Sequence, residues 1–76
     1  MNKRPINKML AIMEERADES WKAMYNTHQY KYIKRVLAKS TEDITYAEKE
    51  MVRDNLQALC LALGLNYYNL LKKVCQ

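Results

Sequence analysis

The sequence predicts an all-α fold, a small helical bundle of three long helices plus a short C-terminal helix. Three observations predict it. Apolar residues recur at spacings of three and four along the chain, and no segment alternates with period two. There is one Gly and one Pro among 76 residues, so few positions are suited to interrupt a helix. Finally, 49% of the residues are apolar, enough to drive collapse rather than disorder. A chain of this length makes one domain, residues 1–76, with a thin core, because such a domain buries only about 60% of its unfolded surface.

The first helix is expected from Pro5, whose missing N–H is tolerated in a first turn. Ile6, Met9, Leu10, Met13, Ala17, Trp21 and Met24 form one stripe on a helix of about 20 residues. Glu14, Glu15, Arg16, Asp18 and Glu19 fall off the stripe and should be solvated. Ile12 also falls off it, and either widens the buried face or touches a partner. Asn26-Thr27 interrupts the pattern: Asn tolerates a helix end and Thr caps a new start, the alternative being a single long helix through residue 38. A second helix is expected over 28–39, followed by the loop Ser40-Thr41-Glu42-Asp43. Thr45-Tyr46-Ala47-Glu48 reads as a capping box. The third helix then runs from Tyr46 to Leu63, with Ala47, Met51, Val52, Leu56, Leu59, Cys60 and Leu63 inside. Gly64 supplies the positive φ that ends it. Asn66 caps a last helix from Tyr67 to about Val74, apolar at Leu70, Leu71 and Val74.

Composition narrows the function classes. The longest apolar run, Ala58 to Leu63, is far short of the roughly 18 residues of a membrane span. The basic start MNKRPINKML runs into acids rather than a long apolar region, so no secretory signal is expected. Two cysteines, Cys60 and Cys75, are too few for a disulfide scaffold, which points to a reducing cytoplasm. One His and no close Cys pair leave no ordinary zinc site. The net charge of +4 is unevenly spread. Residues 1–39 carry nine Lys/Arg against four Asp/Glu, a balance of +5, and residues 40–76 carry four against five, a balance of −1. That asymmetry suggests an anionic partner for the N-terminal half.

The stretch HQYKYIKRVLAK, residues 28–39, focuses that charge. On a helix, Tyr30, Ile33, Val36 and Leu37 share one arc. Lys31, Lys34, Arg35 and Lys39 share the opposite arc, with Tyr32 at its edge. No acid lies three or four residues away within the helix. Such a face suits a nucleic-acid backbone, and Tyr32 adds a stacking or hydrogen-bonding group. Lys3, Arg4 and Lys8 at the start would make a second contact, as flexible basic arms do. The alternative is an ordinary solvated face whose lysines are balanced by Glu14, Glu15 or Asp18 of the neighbouring helix.

Residues 56–74, LQALCLALGLNYYNLLKKV, resemble a bacterial or phage repressor helix-turn-helix. Leu59, Cys60, Leu63, Gly64 and Leu65 fall in its register as apolar, small, apolar, Gly, apolar, and Leu70 falls where the second helix presses on the first. The resemblance implies that Asn66, Tyr67, Tyr68, Asn69, Lys72 and Lys73 face a DNA groove. The sequence departs from the pattern at Leu61 and Leu71, which stand where it exposes polar groups, and at Lys73, which stands where it buries a side chain. A helix–Gly–helix corner is also how any compact bundle turns.

No catalytic constellation is expected. His28 is the only imidazole, no carboxylate is identified to orient it, and a buried thiol such as Cys60 is inert. The protein is therefore expected to be a non-enzymatic regulator without cofactor, metal or small-molecule substrate. The second function class is protein binding, through Ile12, Leu61, Tyr67, Tyr68 and Leu71, to a host protein or to a second copy as a homodimer. Aromatic residues are the usual anchors of such surfaces. Small helical proteins without catalytic groups are common among phage and plasmid products, an analogy of size only.

Overall fold

A computed structural model describes residues 2–16 and 19–75, and of residues 19–22 the backbone only. It contains four α-helices: α1 (Lys3–Arg16), α2 (His28–Leu37), α3 (Tyr46–Ala62) and α4 (Tyr67–Val74). No strand occurs among the described residues. The Cα radius of gyration is 11.9 Å, near the roughly 11 Å expected of a folded chain this long. The molecule is a slab of 35 × 29 × 16 Å. α2 and α3 share the most extensive contact, and α4 packs on both α1 and α3. No helix of the described residues is long and apolar enough to cross a membrane.

The first helix differs from expectation. α1 begins at Lys3, where Asn2 Oδ1 accepts from the Arg4 backbone N–H at 3.1 Å. It ends at Arg16, and a separate 3₁₀ helix spans Glu19–Asn26. A 3₁₀ helix has three residues per turn, so the spacing of three between Trp21 and Met24 fits it as well as an α-helix. Ser20 and Asn26 are also weak helix formers, because their side chains compete for backbone groups. Ala17 and Asp18 lie outside the described residues, as does the side chain of Trp21. The basic start is consequently part of a helix and not a loose arm.

The remaining ends are built locally. Thr27 caps α2, its hydroxyl accepting from Tyr30 N–H at 3.1 Å and donating to the Met24 carbonyl at 2.8 Å. α2 stops at Leu37, two residues short of expectation, and Thr41–Asp43 form a 3₁₀ turn in the connection. The capping box of α3 is complete: Glu48 N–H donates to Thr45 Oγ1 at 3.2 Å, and Thr45 N–H donates to Glu48 Oε1 at 2.9 Å. At its other end Gly64 takes φ +69°. Leu65 N–H then reaches back to the Cys60 carbonyl at 2.8 Å, and Gly64 N–H to the Leu61 carbonyl at 3.2 Å. These are the two bonds of a Schellman ending. Asn66 Oδ1 accepts from Asn69 N–H at 3.0 Å and opens α4.

The core joins Met9, Leu10 and Met13 of α1, Met24, and Tyr30, Ile33 and Val36 of α2. To these it adds Val52, Leu56, Leu59 and Cys60 of α3 and Leu70 of α4. Ile44, just before α3, is buried too, although it belongs to no stripe. Ala47 and Met51, expected inside, lie on the outer side of α3, with Met51 49% exposed. Val52, Leu56, Leu59 and Cys60 set the inward direction, and at 100° per residue Ala47 and Met51 point well away from it. Ile12 packs partly buried against the core, which resolves its ambiguity toward a wider inner face.

Candidate nucleic-acid interface

α2 presents the side chains that the charge pattern singles out. Tyr30, Ile33 and Val36 anchor it in the core, so Lys31, Lys34 and Arg35 of α2 face water, with Lys39 exposed just beyond its end. Tyr32 is half-buried and packs against the core at the edge of this face.

The four cations are not equivalent. Lys34 Nζ lies 3.8 Å from Glu14 Oε1 of α1 and 5.9 Å from the Tyr30 ring centre. The same Glu14 oxygen accepts from the Tyr30 hydroxyl at 2.6 Å. Burial, and then that hydrogen bond to Glu14, hold the Tyr30 phenol well above its ordinary range. Lys39 donates to Glu48 Oε2 at 2.7 Å. Its hydrogen bond, with the Thr45 N–H on the other oxygen, pulls the Glu48 carboxyl below the usual range. The unpaired state expected of Lys34 and Lys39 is thus corrected: acids of neighbouring elements engage both. The physical reason is tertiary, since Glu14 and Glu48 lie outside the helix in which the spacing was counted.

Lys31 and Arg35 make no ion pair among the described residues. The Arg35 guanidinium carbon sits 5.2 Å from the centre of the Tyr32 ring, within cation–π range. His28, Lys31, Tyr32 and Arg35 line one open depression, with no carboxylate in its wall among the described residues. His28 was not expected as a member, although its spacing of three to Lys31 and seven to Arg35 places it on the same strip.

The N-terminal cations divide. Lys3 donates to the backbone carbonyl of Lys39 and ties the start of α1 to the end of α2. Arg4 and Lys8 are exposed and line a separate depression with Val74 and Cys75, away from the α2 strip. A further depression between α1 and α4 brings Arg16 together with Asn66, Asn69 and Lys73. The sequence reading missed that grouping. One signal for it was legible: no acid occurs after Asp54, so nothing local offsets Lys72 and Lys73.

The residues of the protein-binding alternative also divide. Leu61 is 82% exposed and Tyr68 71% exposed. Tyr67 and Leu71 pack half-buried on the core and offer only part of their surface. Tyr67 meets Tyr68 edge to face, with ring centres 5.3 Å apart. Burial pushes the Tyr67 phenol up. The helix–Gly–helix corner over 56–74 is present, but Leu71 packs inward while Lys73 is exposed. The helix-turn-helix pattern has those two positions the other way round.

Among the described residues no three His, Cys, Asp or Glu side chains gather to hold a metal ion. Burial alone pushes the Cys60 thiol up, away from the reactive thiolate. No family model, curated protein or solved structure matches this chain, so its own charge and geometry carry the functional reading.

Proposed function

We propose that this protein is a non-enzymatic regulatory binding protein that contacts the backbone of nucleic acid through the outer strip of α2. The observation that carries the reading is the depression of His28, Lys31, Tyr32 and Arg35, which no acid among the described residues lines. Lys31 and Arg35 are the phosphate donors, and the Tyr32 ring lies 5.2 Å from the Arg35 guanidinium carbon. With Lys34 and Lys39 bonded to acids, two cations without an acid partner among the described residues remain on this strip. The logarithm of affinity then falls by roughly 1.8 per decade of salt, at about 0.9 for each phosphate neutralised on duplex DNA. Both cysteines are free thiols, which supports a reducing, cytoplasmic setting.

Titration with duplex and single-stranded DNA at 50 and 200 mM salt tests this. Binding at the lower salt is expected, and Lys31→Glu/Arg35→Glu removes it while the circular dichroism stays helical. Absence of binding by the wild-type protein at low salt refutes the reading.

The second reading is a protein-binding regulator or inhibitor, or a homodimer, acting through an apolar surface. The exposure of Leu61 and Tyr68 at the α3–α4 corner favours it. A change in solution mass, or in capture of a partner, on Leu61→Ser/Tyr68→Ser is its measurement.

A further inference from the structure

We propose that the seam between α1 and α4 is a second phosphate-binding surface, separate from the α2 strip and used on the same nucleic acid. The identity of the ligand rests on the reading above; the site itself stands on different residues.

The two helices pack together and run antiparallel. The start of α1 meets the end of α4, where Arg4 and Lys8 share a depression with Val74 and Cys75. The end of α1 meets the start of α4, where Arg16 shares one with Asn66, Asn69 and Lys73. The seam therefore carries cations at both ends, contributed by both helices. From Arg4 to Arg16 the rise along α1 is about 18 Å.

The charge balance is local and one-sided. α4 contains no acid, and among the described residues no carboxylate lines either depression. Glu15, exposed on α1, is the described acid nearest in sequence to Arg16. At a spacing of seven it shares the side of α1 that carries Lys8, so the seam sets Arg4, Lys8, Arg16 and Lys73 against this one acid on that side of α1. Asn69 adds an uncharged side-chain donor next to Lys73, as amides do on phosphate oxygens. The seam and the α2 strip share no lining residue, so each is altered without touching the other.

The experiment uses a fluorescent 20-base-pair duplex and reads anisotropy at 50 and 200 mM salt for the full chain and three double variants. Arg16→Gln/Lys73→Gln neutralises one end of the seam, Lys31→Glu/Arg35→Glu removes the α2 strip, and Lys49→Gln/Arg53→Gln makes the same net-charge change on α3. The seam variant is expected to bind about tenfold more weakly at 50 mM, with the salt slope reduced by about 1.8. The α3 control moves by less than about twofold. Equal losses in the seam variant and the control overturn the proposal, as does no loss in the seam variant. Loss in the seam variant with an unchanged Lys31→Glu/Arg35→Glu protein keeps the seam and removes the α2 reading; the converse removes the seam alone. No binding by the wild-type chain removes both. If Arg16→Gln/Lys73→Gln lowers the helical dichroism, Arg4→Gln/Lys8→Gln at the other end of the seam takes its place under the same criteria.

Discussion

The stretch from Lys3 to Asn26 and the stretch from Thr45 to Cys75 are both helical, yet they are specified differently. The C-terminal stretch is punctuated by local hydrogen bonds: the Thr45–Glu48 box, the Gly64 ending and the Asn66 cap. The N-terminal stretch has its described caps only at its two ends, Asn2 and Thr27, and between them it passes from an α-helix to a 3₁₀ helix. A spacing of three suits both windings, so apolar periodicity carries through such a change without a mark. Helix ends are readable where a side chain bonds a particular backbone group, and unreadable where only winding alters.

The strongest test of this contrast is deletion of core side chains from each stretch. Leu56→Ala in α3 and Met13→Ala in α1 each remove a fully buried side chain, with an expected cost of about 2–5 kcal/mol in urea unfolding. A much smaller cost for Met13→Ala, or a separate transition for it, shows that α1 is not part of one cooperative unit. Next comes Gly64→Ala. No atom lies within 4 Å of the added methyl, so the loss is the left-handed backbone penalty alone, about 1–2 kcal/mol. A near-neutral result means that the Schellman turn does not hold this corner.

The caps rank below. Thr45→Ala and Thr27→Ala are each expected to cost about 1 kcal/mol. Acid sharpens the first. The folded-state pKa of Glu48 lies below its unfolded value, so its contribution is present above the ordinary carboxylate range and is lost as the pH falls through the lowered value. Helix content followed below about pH 4.3 should fall less steeply in Glu48→Gln than in the wild-type protein. The smallest effect belongs to the Lys34–Glu14 pair, whose lysine is half exposed. Lys34→Ala should cost less than about 1 kcal/mol in thermal melts and shrink further in salt.

What was legible follows the same line. Thr27, Thr45, Gly64 and Asn66 could be placed from sequence because each acts on neighbours within five residues. Tyr30, Ile33 and Val36 could be placed because the opposite arc of α2 is polar. Ala47 and Met51 were misplaced because α3 carries apolar residues on both sides, Leu61 among them, and periodicity alone does not say which side turns inward. Ile44 was missed because it stands alone between a turn and a helix. For the interface, Lys31 and Arg35 were readable as exposed cations. The fates of Lys34 and Lys39 depended on Glu14, twenty residues away on another helix, and on Glu48, beyond the connecting turn. The grouping of Arg16 with Lys73 depends on α4 folding back along α1, which no short-range spacing encodes.

The two thiols give the molecule an internal clock. Cys75 is exposed and Cys60 is buried on the inner side of α3. A thiol reagent therefore modifies the first at once and reaches the second only when that part of the slab opens. The delay between the two modifications measures how often the interior admits solvent, and a ligand that clamps the helices together lengthens it.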